Sequence, residues 1–144
     1  MSGKFEAEVW GYVNGVISGD IPACKELKQI AKRYADDYVS GRWDYRTTEA
    51  DYVIDKIQTQ FVHRQGEDLE GQPLKGKPFI LEPWEKFIIY GILVFYKPGT
   101  IVRRIHEAFV FIPRKNGKTL FVAAVAWGRG LHRQAYKGKF TQLR

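Results

Sequence analysis

Residues 109–119 read Phe-Val-Phe-Ile-Pro-Arg-Lys-Asn-Gly-Lys-Thr, and residues 120–127 continue as Leu-Phe-Val-Ala-Ala-Val-Ala-Trp. An apolar, β-prone run ends at Pro113, a basic turn follows, and the apolar stretch after Gly-Lys-Thr has the character of a buried helix. A strand, a loop ending in Gly-Lys-Thr and a helix are the parts of a phosphate-binding loop. Because backbone N–H groups and the helix dipole favour anions at a helix start, the stretch predicts a nucleotide-phosphate site.

The residues of this loop have separate expected roles. Lys118 would contact the β- and γ-phosphates, and the Thr119 hydroxyl would bind Mg²⁺ held by the nucleotide. The loop itself would consist of Arg114, Lys115, Asn116 and Gly117. The general motif G-x-x-x-x-G-K-[ST] has a glycine where this sequence has Ile112, and Gly-Lys-Thr alone is a short match. The residues by themselves therefore leave a surface turn between a strand and a helix as the alternative.

The charge of the chain is unevenly distributed. Residues 1–70 carry 9 basic and 13 acidic side chains, a balance of −4, and residues 71–144 carry 14 basic and 3 acidic ones, a balance of +11. These balances sum to the formal net charge of +7 for the 144 residues. A basic second half suits a polyanionic partner, either a nucleotide or a nucleic acid, although plain solubility explains a basic pI equally well.

Several classes of protein are excluded by composition. The single cysteine, Cys24, cannot form an internal disulfide or a cysteine-based zinc site, and the three histidines lack ligand spacing. No apolar run approaches the ~18–20 residues that a membrane span requires. The N-terminus lacks the pattern of a signal peptide. These features predict a soluble, intracellular protein with no membrane partner.

The first hundred residues are expected to be mainly helical. The glycine-rich start predicts only one short helical turn, around residues 9–16. Apolar residues at helical spacing predict a helix over 23–39 that Gly41 ends, and Thr48 with Asp51 predicts the capping box of the next helix. We expect these two helices to pack as an antiparallel pair.

Farther along, turn-forming residues predict a long loop over 64–78, and an apolar run predicts a buried helix from Trp84 to Phe95. A strand should then occupy residues 108–112, and the helix after the loop should end near Leu131. The predicted division is a helical region over 1–100, a β-α unit over 101–131 and a frayed basic tail over 132–144. The fold class is α/β, in which helices lead into the first strand–loop–helix unit of an incomplete P-loop NTPase sheet.

Three blocks of this sequence resemble the N-terminal part of the large terminase subunit of tailed bacteriophages. They are Gly-Asp-Ile-Pro-Ala-Cys-Lys at 19–25, Lys-Gly-Lys-Pro-Phe-Ile-Leu-Glu-Pro-Trp-Glu-Lys-Phe at 75–87, and Ile-Pro-Arg-Lys-Asn-Gly-Lys-Thr at 112–119. Their order and spacing match the family over roughly residues 11–127. The third block is the most specific, because the Walker A loop of this family lacks the leading glycine of the general motif.

The resemblance implies a DNA-packaging motor, in which an N-terminal ATPase drives duplex DNA into the capsid and a C-terminal nuclease cuts it. It implies ATP and Mg²⁺ as cofactors, and duplex DNA, the small terminase subunit and the portal as partners, in the host cell cytoplasm. Lys118 and Thr119 carry over as phosphate and Mg²⁺ contacts. Arg114 matches the loop arginine that senses the γ-phosphate, a role that a permanently charged guanidinium suits. A solvated loop cation is the alternative for Arg114.

The segment at 79–87 matches the part of the family that reads adenine, which usually contains Pro-Trp-Gln. This chain has Trp84 followed by Glu85. A Gln amide can donate to and accept from the adenine edge, whereas a carboxylate can only accept, so the departure affects base selectivity. Trp84 is expected to line the base pocket or, as is commoner, to be a buried residue at a helix start.

The sequence departs from the family most strongly after Thr119, because no Asp or Glu follows that residue. The Walker B acid, the catalytic carboxylate and the nuclease acids are therefore missing. We expect that this chain does not hydrolyse ATP efficiently alone, whether it is a truncated product, a frame change or one piece of a motor that another chain completes. The alternatives are a small basic module that binds DNA or a partner without catalysis, and an inactive remnant.

Overall fold

Five helices and one two-stranded antiparallel sheet make up the described part of the chain, which a computed structural model gives as residues 3–61, 71–72, 76–108 and 118–141. The last of these helices has described side chains over residues 121–133. In chain order the elements are α1 (Glu6–Ser18), α2 (Lys25–Ser40), β1 (Asp44–Tyr45), α3 (Thr48–Gln60), α4 (Pro83–Leu93), β2 (Phe95–Tyr96) and α5 (Lys118–Thr141). They fall into two compact units, and the first α3 residues belong to one and the remainder to the other.

The first unit is organised around α1, which packs against both α2 and α4. Val9, Val13 and Val16 follow one another at helical spacing and are completely buried. The short turn predicted for this region is wrong, because α1 has 13 residues. Each glycine inside a helix costs about 1 kcal/mol relative to alanine, whereas burying a valine side chain gains about 1.5 kcal/mol or more. Packing of the three valines therefore outweighs the two internal glycines.

A tight turn joins α1 to α2. Gly19 ends α1 with a φ of 88°, and the N–H of Ile21 donates to the carbonyl of Gly15 at 2.9 Å. A Cβ on Gly15 would lie 2.6 Å from Cδ1 of Ile21, so a larger residue there would force the Ile21 side chain to move. α2 ends before Gly41, at a φ of 66°, as predicted. α2 packs along α1, and the predicted pairing of α2 with α3 stays a prediction.

The small sheet joins the two stretches of chain that form this unit. β1 and β2 are antiparallel, with Asp44 opposite Tyr96 and Tyr45 opposite Phe95. The helix predicted to reach Phe95 ends instead at Leu93, because Phe95 and Tyr96 are buried aromatic residues that satisfy their backbone groups by pairing with β1. The strand predicted over 108–112 is described at one residue only. Ala108 is not in a strand, and residues 109–112 lie outside the described residues.

Asp51 has a different partner from the one predicted. Its carboxylate accepts hydrogen bonds from the backbone N–H groups of Lys4 at 3.0 Å and Phe5 at 3.3 Å, and from the hydroxyl of Tyr90. Asp51 therefore holds the start of α1 and a buried tyrosine of α4, rather than acting only within α3. The sequence indicates an acid in the first turn of α3 but cannot show that it reaches another helix.

The second unit contains α3 from Tyr52 onward, the chain around Phe79, and α5. The ring of Phe61 lies 5.8 Å from that of Phe79 and 5.7 Å from that of Trp127. The N–H of Phe79 donates to the carbonyl of Phe61 at 3.0 Å. At Gly128 a Cβ would lie 3.1 Å from Cγ1 of Val53, so α5 approaches α3 closely at this point.

α5 is longer than the sequence suggests. Its predicted end near Leu131 is wrong, because the helix continues to Thr141. No proline interrupts residues 132–141, and basic residues near a helix C-terminus interact favourably with the helix dipole. Within the described ranges, no helix combines the length and the apolar character needed to cross a bilayer.

Candidate nucleotide-binding site

The backbone of the predicted phosphate site is described only from Lys118, the first residue of α5. Thr119 follows in the same turn, so the Gly-Lys-Thr sequence meets the helix start. The first N–H groups of a helix have no acceptor within it, and the dipole places partial positive charge there. The first turn of α5 contains no acidic residue that would oppose an anion. This backbone end is therefore compatible with a phosphate ligand.

The predicted loop residues Arg114, Lys115, Asn116 and Gly117 lie outside the described residues, as do the side chains of Lys118 and Thr119. The expected contacts of these side chains with phosphate and Mg²⁺ stay predictions.

Side chains farther along α5 fix the helix in the second unit. Phe121 and Ala124 are buried, and Trp127 packs on Phe61. One further turn along, the ring of His132 lies 5.3 Å from that of Tyr52. These contacts recur at intervals of three to five residues, as expected for one face of a helix. They anchor the helix that carries the candidate site through one face only. The buried helix predicted over 120–127 is therefore wrong in part, because Val122, Ala123 and Ala126 are exposed.

The two residues predicted to contact adenine lie at the start of α4. Glu85 and Glu82 form a reciprocal capping box, in which the backbone N–H of Glu82 donates to Oε1 of Glu85 at 3.1 Å. Nε1 of Trp84 donates to Oε2 of Glu82, and Pro83 occupies the first turn. The structure thus gives both predicted residues a role in starting a helix. A role in reading adenine stays a prediction.

Burial affects the chemistry of Glu85, whose side chain is almost inaccessible to solvent. Desolvation raises the pKa of its carboxyl, and the neighbouring charge of Glu82 adds to this effect, while a backbone hydrogen bond opposes it. One oxygen is already used by the N–H of Glu82. A base that binds Glu85 would therefore compete with the cap of α4, which the sequence motif alone does not reveal.

Lys86 follows Glu85 and is also buried. Its Nζ lies 2.6 Å from Oε2 of Glu8 on α1 and 5.2 Å from the centre of the Phe5 ring. Because a buried ammonium requires a partner, this ion pair and cation–π contact explain how α4 accommodates a lysine in its packed face. The sequence places Lys86 in the family block but contains no signal for its partner on α1.

Comparisons of this chain with protein-family models, with curated proteins and with solved structures find no match. Among the residues that the structure describes, no three His, Cys, Asp or Glu side chains are arranged to hold a metal ion.

Proposed function

We propose that this chain is the N-terminal, nucleotide-binding part of a bacteriophage terminase large subunit, the ATP-driven motor that packages duplex DNA. The proposed fold is a helical region followed by the first strand–loop–helix unit of a P-loop NTPase sheet. The observation that carries the proposal is the start of α5 at Lys118, directly after Gly117 in the sequence Pro-Arg-Lys-Asn-Gly-Lys-Thr. A phosphate-binding loop requires its Gly-Lys-Thr to meet a helix start in this way.

Bound ATP with Mg²⁺ supplies the phosphoryl chemistry in such a motor. In the proposed site the N–H groups at the start of α5 bind the phosphates, and the Lys118 ammonium neutralises their charge. The Thr119 hydroxyl would hold the metal, and the Arg114 guanidinium would neutralise charge on the γ-phosphate. Because residues 120–144 contain no Asp or Glu, the proposed activity of this segment is nucleotide binding, and hydrolysis requires acidic side chains from elsewhere.

The same proposal names the partners. The small terminase subunit, the portal and duplex DNA would associate with the motor in the host cell cytoplasm, and another chain or segment would supply the remaining ATPase strands. These partners follow from the resemblance of the three sequence blocks and from the basic balance of residues 71–144.

Isothermal titration of the full 144-residue chain with ATP in the presence of Mg²⁺ tests the nucleotide site. Lys118→Ala should weaken binding about ten- to hundredfold, because hydrogen bonds to charged groups contribute about 1.5–3 kcal/mol. Lys97→Ala is the matched control, since Lys97 is an exposed lysine after β2 and should leave the affinity unchanged. Equal affinities in wild type and both variants would refute a specific phosphate loop.

A second candidate function is a basic module that binds DNA without catalysis, and the length of α5 favours it. Arg129, Arg133 and Lys137 are spaced by four residues in this helix, so their positions fall on one face. Affinity for a 20-bp duplex should then fall steeply with salt, and Arg133→Gln should reduce the slope of log K against log[salt] by about one. A slope near zero in wild type would exclude the module.

A further inference from the structure

We draw no further inference here: the strongest candidate, the exposed apolar face of α5 at Val122, Ala123 and Ala126, carries no proposal because nothing in the structure shows what covers it.

Discussion

Replacing Asp51 by alanine should destabilise the first unit by about 2–3 kcal/mol, because this carboxylate serves two elements at once. It accepts from the N–H groups of Lys4 and Phe5 at the start of α1, and from the hydroxyl of Tyr90, which has no solvent exposure. Leaving a buried hydroxyl without a partner costs about 1–3 kcal/mol, and each backbone hydrogen bond lost at the start of α1 costs about 0.5–1.5 kcal/mol. The sum is reduced because Asp51 is only half-buried, so water can replace part of the lost interaction.

The assay is urea unfolding followed by circular dichroism. With a slope of about 1–3 kcal/mol per M of urea, the midpoint for Asp51→Ala should fall by about 0.7–3 M. Asp36→Ala is the control, because Asp36 is an exposed acid on α2. Tyr90→Phe completes a double-mutant cycle, and the two substitutions should be non-additive by about 1 kcal/mol or more. Additive effects, or an Asp51→Ala midpoint equal to that of Asp36→Ala, would refute the assigned network.

Three further predictions follow from the other buried polar groups. Burial raises the folded-state pKa of Glu85, so its charged form is disfavoured in the folded chain. The free energy of unfolding of Glu85→Gln should therefore rise relative to that of wild type as the pH increases from 4.5 to 7.5, as measured by urea unfolding. Burial raises the pKa of Tyr45 and of Tyr96 to about 12, so these phenols should ionise after free tyrosine in an alkaline absorbance titration. Because the phenols of the unfolded chain lose their protons at lower pH, the free energy of unfolding should fall above pH 10. Ionisation of all eight tyrosines near pH 10 in the folded chain would contradict the burial of Tyr45 and Tyr96. Glu8→Ala should cost about 1–2 kcal/mol in thermal unfolding, since it leaves the buried ammonium of Lys86 unpaired, and Lys86→Met should largely restore that loss.

Local sequence predicts a helix best where the spacing of apolar residues and the residues that end a helix indicate the same boundaries. α2 and its stop at Gly41 are predictable because apolar spacing and a left-handed glycine indicate the same boundary. α1 is not predictable in this way, because its internal glycines lower the local helix propensity. The helix is stabilised instead by burial of Val9 and Val13 where α1 packs on α2 and α4, and local sequence does not show this packing. β1 and β2 have two residues each, so alternation cannot identify them.

The candidate site shows the same division between local and long-range information. The helix start at Lys118 is predictable because Gly-Lys-Thr precedes an apolar, helix-forming run. The capping role of Glu85 is also predictable from local sequence, because Glu85 lies three residues after Glu82. The resemblance of residues 75–87 suggests a contact with adenine instead. The partners of Asp51 and Lys86 lie about 40 to 80 positions away in sequence, and no local pattern contains them.

The central claim, that the start of α5 binds nucleotide phosphate, is tested most directly by the backbone amide signals of Gly117, Lys118 and Thr119 during a titration with ATP and Mg²⁺. The proposal predicts that these three amides show the largest shifts and that they saturate together, because their N–H groups meet the phosphates. Larger shifts around Arg129 and Arg133, with the Lys118 and Thr119 amides unmoved, would contradict it and would indicate binding by surface charge along α5.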